Sequence, residues 1–337
     1  MACDELLGSK PVTNAANGPV AVLAPLSGVS DLAFRRLAAR FGAERVVTEM
    51  VAAEGFLRGD EEARLRSAGR GISPHVIQLV GRNPARMGEA ARLAEAAGAD
   101  VIDINMGCPA KRVTGGLSGS ALMREPDLAL AMMASVVAAV SVPVTVKMRL
   151  GWDDRSRNAA ELARRGAELG VAGFAVHGRT RQQFYEGRAS WSAIREVVDS
   201  VSVPVLANGD ILSAADAAAC LAQSGAAGVM IGRAAVGQPW LVGEVAAALT
   251  GQAPPRVTPQ ERAEAAAEHY EGLLALYGTA LGIRHARKHL AAYADCAAAA
   301  GYGLPPADRA ELVRSVEPTA VLALLTRLYA EPIQRAA

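Results

Sequence analysis

The sequence predicts a closed (β/α)8 TIM barrel followed by a small C-terminal all-helical domain. Three observations lead there. Short β-branched runs alternate with Ala- and Leu-rich stretches of helical character from Pro19 to about Ala248, the mark of parallel β/α units. The runs number eight, which suits a closed barrel better than an open doubly wound sheet. The rhythm then stops, and no strand pattern follows Gly251.

The eight runs span residues 20–23, 45–48, 75–79, 101–104, 142–146, 173–176, 203–206 and 228–231. Several are apolar throughout, as strands covered on both faces are. Helices are expected between them at 31–41, 83–97, 127–139, 158–169, 191–198 and 214–223. The first run leads into Ala24-Pro25-Leu26-Ser27-Gly28, which is not the GxGxxG turn of an open dinucleotide-binding sheet. The connection 51–73 is long and charged, and its Arg58, Arg64 and Arg66 have no role that the sequence assigns. Residues 252–256 read as a linker. Thr258-Pro259-Gln260-Glu261 then opens a helix, with Thr258 as cap, Pro259 in the first turn and Glu261 closing a capping box. Helices are expected at 258–277, 283–299, 306–316 and 318–328. The chain thus divides into an extension (1–18), a barrel (19–250) and a helical domain (251–337).

Composition narrows the function. Against 35 Lys+Arg stand 34 Asp+Glu, so the net charge of +1 gives no global pull toward nucleic acid or an anionic membrane. Four Cys form no CxxC pair, so neither a disulfide framework nor a metal ribbon is expected. The expectations are reduced thiols, no metal, a cytoplasmic monomer and no membrane span, because no apolar run is long enough. Aromatic residues make up 4%, which disfavours an aromatic sheet for stacking single-stranded RNA.

In such a barrel the residues just after the strands converge on one mouth, where active sites lie. They are Pro25, Leu26 and Ser27; Glu49 and Met50; Gln78; Asn105 and Cys108; Lys147; His177, Arg179 and Thr180; Asn208, Gly209 and Asp210; Gly232 and Arg233. Gly209 and Gly232 allow close backbone approach, and each precedes a helix whose N-terminus favours anions. With Arg233 they form the barrel's usual phosphate seat. Lys147 needs an anionic ligand, or else a partner such as Asp103 or Glu49. His177 reads as an acid/base group, a cofactor contact or a core histidine. Cys108, in a Gly-Cys-Pro turn before Lys111 and Arg112, reads as nucleophile, redox thiol or proton donor, while Cys220 and Cys296 read as buried hydrophobes.

The strings APLSGVSDLAFR, VTEM, DINMGCPAKRV, SGSALM, VKMRLGW, HGRTR, VLANGDI and GVMIGRAAVGQPW, in order from about residue 22 to 240, resemble the bacterial tRNA-dihydrouridine synthases. GIRHARKH in the tail resembles the B-type branch. The first turn reads PLSG where many relatives have PMAG or PMEG, a departure that leaves the turn geometry intact. The resemblance implies an FMN-dependent enzyme that uses NADPH to reduce uridine in folded tRNA to 5,6-dihydrouridine, with the D-loop as the region modified. It implies FMN contacts at Pro25, Leu26, Ser27, Gln78, Lys147, His177, Asn208, Gly209, Asp210, Gly232 and Arg233. It also implies a proton donor at Cys108 and substrate contacts at Asn105, Lys147, Arg179 and Thr180. The helical domain would dock tRNA through Arg284, Arg287 and Lys288. Two rival readings are an FMN-dependent dehydrogenase of a free pyrimidine, which needs no cationic tail, and an RNA-binding barrel without activity, which needs no Cys108, Lys147 or Asn105.

Overall fold

The computed structural model describes residues 18–330 and residue 332, with the side chain of Arg112 left out. Apart from Gly18, the expected N-terminal extension lies outside the described residues, as does Cys3. The strands are β1 (Val20–Leu23), β2 (Arg45–Val47), β3 (Val51–Ala52), β4 (His75–Val80), β5 (Val101–Met106), β6 (Val144–Arg149), β7 (Gly173–His177), β8 (Val205–Asn208) and β9 (Gly228–Ile231). All pair in parallel. β1 pairs with both β2 and β9, and β2 pairs with β4, so the sheet closes on itself. β3 lies further along the same edge of β4, with Val51 opposite Leu79, and so continues β2 after an interruption. The barrel therefore has eight staves. Where β2 breaks off, the Thr48 hydroxyl accepts from the Gln78 N–H at 3.0 Å and meets a ladder donor.

Side chains alternate across a strand, so every second residue shares the inner face. Val20, Val22, Val47, Val76, Val101, Ala175, Leu206 and Met230 form an apolar plug inside the barrel. The next inner positions are polar. Asp103 accepts from Gln78 Nε2 at 2.7 Å and from the Thr145 hydroxyl at 2.6 Å. Beyond them lie Asn105, Lys147, His177 and Asn208, each two residues past a plug or polar-layer position on its own strand. The other face packs on an outer shell of helices in one continuous core.

That shell is α1 (Leu32–Arg40), α2 (Ala53–Arg58), α3 (Glu61–Ser67), α4 (Pro84–Ala96), the short α5 (Lys111–Thr114), α6 (Pro126–Val137), α7 (Ala159–Glu168), α8 (Arg195–Asp199), α9 (Ala214–Ser224) and α10 (Leu241–Leu249). The charged segment 51–73, expected as a connection, holds β3, α2 and α3. The tail consists of α11 (Pro259–Tyr277), α12 (Thr279–Ala299), α13 (Pro306–Arg314) and α14 (Pro318–Leu328). The capping box at Thr258 and Glu261 forms as expected. α12 begins at Thr279, before the expected residue 283, because Gly278 alone (φ +73°) turns the chain between the two helices. The tail's core includes Leu37 and Trp240 from the barrel, so the helical layer shares a core with α1. No helix among the described residues is long and apolar enough to cross a membrane.

Candidate active site

Register sets the level of the polar side chains. Asn105 pairs with Lys147, Lys147 with Ala175, and His177 with both Arg149 and Asn208. Of these, Lys147, Arg149, His177 and Asn208 line a cavity of about 360 Å³ at the C-terminal mouth. Of the residues expected there, Pro25, Leu26, Lys147, His177, Asn208, Gly209, Asp210, Gly232 and Arg233 line it. Gly107 and Pro109, the two neighbours of Cys108, line it as well. Ser27, Gln78, Asn105, Arg179 and Thr180 stand behind or beside it.

Lys147 does not meet Asp103 or Glu49. Its Nζ donates to Asn208 Oδ1 at 3.1 Å, and Asn208 Nδ2 donates to the Met230 carbonyl at 2.7 Å, which fixes the amide. Burial, aided by the charge of Arg149, pulls the Lys147 ammonium down to about 8. Burial and the cations Lys147, Arg149, Arg179 and Arg233 hold His177 well below the ordinary imidazole value. His177 is therefore neutral. Arg179 can only donate, so its Nη1, 3.3 Å from His177 Nε2, assigns that nitrogen as acceptor and leaves the proton on Nδ1.

Cys108 is partly exposed and carries a free thiol. Its turn is held from several sides. Asn105 Oδ1 accepts from the N–H groups of Gly107 (3.2 Å) and Cys108 (3.0 Å), while its Nδ2 donates to Gln78 Oε1 at 2.7 Å. The Ser120 hydroxyl and N–H both donate to the Cys108 carbonyl. Arg149, almost fully buried, donates from Nε to the Gly107 carbonyl at 2.9 Å and from Nη1 to the carbonyls of Thr180 and Phe184.

Arg179 was expected to touch a substrate, but its guanidinium is spent on protein. Nε donates to Glu186 O, Nη2 to Gly187 O and Asp210 Oδ2, and Nη1 to Asp210 Oδ1 and His177 Nε2. All five N–H groups are used. Thr180 is fully buried and bonds to Gln183. Both residues shape the mouth by fixing the loop after β7. Asp210 also meets Arg233, whose side chain remains mostly open to solvent. Gly209 sits at φ +115°, and a Cβ there would lie 2.8 Å from the His177 ring, so the turn requires glycine. Helical turns follow both glycines, at different distances. Asp210–Ser213 precede α9, which Ser213 caps, and a 3-10 turn (Arg233–Ala235) follows Gly232.

The site roles of several residues escaped sequence reasoning. Arg149 falls two residues past Lys147 on the same face of β6. Ending that strand at 146 hid it, whereas the alternation Lys-Met-Arg would have exposed it. Tyr185 lines the cavity beneath the cations Arg149 and Arg233, 5.5 and 4.9 Å from its ring centre, and nothing in the sequence marks it. Glu49, pushed up by burial, accepts from the Gly28 N–H at 2.6 Å and faces Arg66, so Arg66 braces the first turn. Arg58 and Arg64 make surface pairs with Asp60 and Glu61. On α12, Arg284, Arg287 and Lys288 are exposed and His289 is buried. Lys288 Nζ reaches over the first turn, 3.2 Å from where a Cβ of Gly28 would be.

Comparison with known proteins gives the family. The family model for dihydrouridine synthases (Dus) covers residues 22–304. A probable tRNA-dihydrouridine synthase of Rhodobacter capsulatus is 52% identical over 93% of this chain and 95% of its own length. One of Rhizobium leguminosarum is 51% identical over 91% and 93%. A tRNA-dihydrouridine synthase B of Xanthomonas axonopodis is 44% identical over 92% of both chains. The chain belongs to the dihydrouridine synthase family.

Proposed function

We propose that this enzyme reduces uridines in tRNA, in the D-loop region, to 5,6-dihydrouridine, with FMN as bound cofactor and NADPH as electron donor. The observation that carries the reading is the Cys108 turn, fixed by Asn105 and Arg149 at the rim of a cavity that holds Lys147 and a neutral His177. The residues present fit a flavin mononucleotide. The cavity combines apolar walls at Pro25 and Leu26 with a buried ammonium, and the backbone comes close at Gly209. Arg233 offers a solvent-facing guanidinium for a phosphate. When bound, the flavin supplies the hydride that adds to C6 of the uracil.

The chain's own residues do the rest. Lys147 would supply positive charge to the flavin held in this cavity, and Asn208 aims that charge. His177 keeps Nε2 as acceptor and offers Nδ1–H as a donor. The target base must leave its stack to enter the mouth. Cys108 then gives its thiol proton to C5, which completes the two-electron reduction of the C5=C6 bond. The exposed cations Arg284, Arg287 and Lys288 on α12 contact phosphates and orient the tRNA.

Replacing Cys108→Ala tests this assignment. The variant is expected to keep its flavin and its reduction by NADPH, while dihydrouridine formation falls by roughly 10²–10⁴-fold, the usual worth of a positioned proton donor. Dihydrouridine formation at the wild-type rate would remove Cys108 from the mechanism. Mapping dihydrouridine in tRNA from cells with and without the gene tests the D-loop assignment.

A further inference from the structure

Three buried side chains from three helices meet where the helical layer sits on the barrel. Asp31 caps α1, His269 lies on α11 and His289 on α12, and none is more than 4% exposed. We propose that Asp31, His269 and His289 form a structural site for a divalent transition-metal ion of the zinc class.

The geometry divides each side chain between support and ligation. Asp31 Oδ1 accepts from the Phe34 N–H at 3.0 Å, so Oδ2 is the free oxygen, and it faces His269 Nε2 at 3.6 Å. That separation is long for a hydrogen bond. It matches two ligands of one ion, since tetrahedral bonds of about 2.0–2.2 Å hold their ligand atoms about 3.4 Å apart. His269 Nδ1 lies 3.1 Å from the Tyr293 hydroxyl. A proton held there leaves the Nε2 lone pair free, which is how the second nitrogen of a metal-bound histidine is usually engaged.

Among the described residues the polar atoms that remain have no partner: His269 Nε2 and both nitrogens of His289 are buried without a hydrogen bond. Leaving such atoms unmet is costly and rare. The three candidate ligand atoms lie within 4.8 Å of one another, and one ion would satisfy an atom from each residue. Arg35, four residues past Asp31, makes no hydrogen bond to the carboxylate among the described residues; its Nε and Nη2 donate to the carbonyls of Ser30 and Ala68, and its Nη1 is left without a partner. Phe34 walls the site, with its ring centre 5.3 and 6.0 Å from those of the two imidazoles. Two imidazoles and one carboxylate favour zinc-class ions over calcium or magnesium. With three ligands from three helices, the ion would pin α11 and α12 to α1. No sequence motif marks the site, because Asp31 lies far along the chain from the histidine pair.

The test uses untagged full-length protein, stripped of metal and titrated with Zn²⁺ by calorimetry and thermal melting. The wild type is expected to take up one equivalent and to melt about 5 °C higher at saturation, reversed by chelator. Asp31→Asn keeps the helix cap and removes the charged ligand. His289→Phe keeps the volume and removes a ligand nitrogen. Each is expected to lose at least tenfold in Zn²⁺ affinity while retaining flavin. A wild-type protein that takes up no stoichiometric Zn²⁺ overturns the proposal, whatever the variants do. Equal uptake by wild type and either folded variant overturns it as well.

Discussion

Lys147 shows how one side chain can cost stability and serve function. Burial pulls its ammonium from 10.5 down to about 8, and among the described residues Nζ bonds directly only to Asn208. In the unfolded chain the proton stays on until about pH 10.4. Between the two values the unfolded state binds more protons, so stability rises with pH across that window, and the full penalty applies below about pH 8. The shift corresponds to about 3 kcal/mol. Lys147→Met, which keeps the apolar stem and removes the charge, is therefore expected to stabilise the flavin-free protein by roughly 2–3 kcal/mol at pH 7. The gain should shrink as pH approaches 10, and flavin affinity should fall. Denaturant titrations of both proteins from pH 6 to 10 measure this, and a variant no more stable than wild type at pH 7 would refute it. The residue was legible in the sequence as the end of a β-branched run. Its partner was not, because Asn208 lies 61 residues away and reaches Lys147 across β7, which pairs with both β6 and β8.

Among the elements, the loop after β7 is held by two buried guanidinium groups, Arg149 at Thr180 and Phe184 and Arg179 at Glu186 and Gly187. Arg179 ties Glu186 and Gly187 to Asp210 and the His177 ring, so the position of that part of the loop and the histidine's tautomer have one cause. A lysine cannot reproduce a five-donor fork. Arg179→Lys is expected to cost about 3 kcal/mol and to loosen residues 180–188. Faster hydrogen exchange there, and faster tryptic cleavage after the exposed Arg188, are the readouts. Unchanged exchange would mean that the loop is held by other contacts. The pair also carries a pH dependence. Burial alone would raise Asp210, but the Arg179 bonds lower it, so its contribution is complete above about pH 4 and fades as acid titrates the folded carboxylate. At this scale the sequence was most readable where periodicity and caps act locally, as in the eight staves and the Thr258–Glu261 box. It was least readable over residues 51–73, where β3 is two residues long and exists only because β4 extends past β2 to receive it.

On the scale of the whole molecule, near neutrality and a polyanionic partner have to coexist. The helical layer has as many acidic as basic residues, and several cancel in pairs, among them Arg40 of the barrel with Glu268, Arg309 with Asp295 and Arg327 with Asp308. Arg284, Arg287 and Lys288 are exposed on α12, and Lys288 reaches the first turn of the mouth at Gly28. The layer cannot be cut away cleanly to test them, because Leu37 and Trp240 of the barrel belong to its core. Reversing charge on the exposed face leaves that core intact. The double variant Arg284→Glu, Arg287→Glu is expected to keep its flavin and its melting temperature within about 2 °C, since solvated side chains contribute little to stability. Binding to tRNA should weaken by about tenfold or more near physiological salt. Losing two phosphate contacts should also flatten the slope of log affinity against log salt by roughly 1.5. Binding measured at several salt concentrations separates the outcomes. A smaller slope with weaker binding places these arginines on the phosphates, weaker binding with the slope unchanged assigns them another role, and unchanged binding moves the docking surface elsewhere on the molecule.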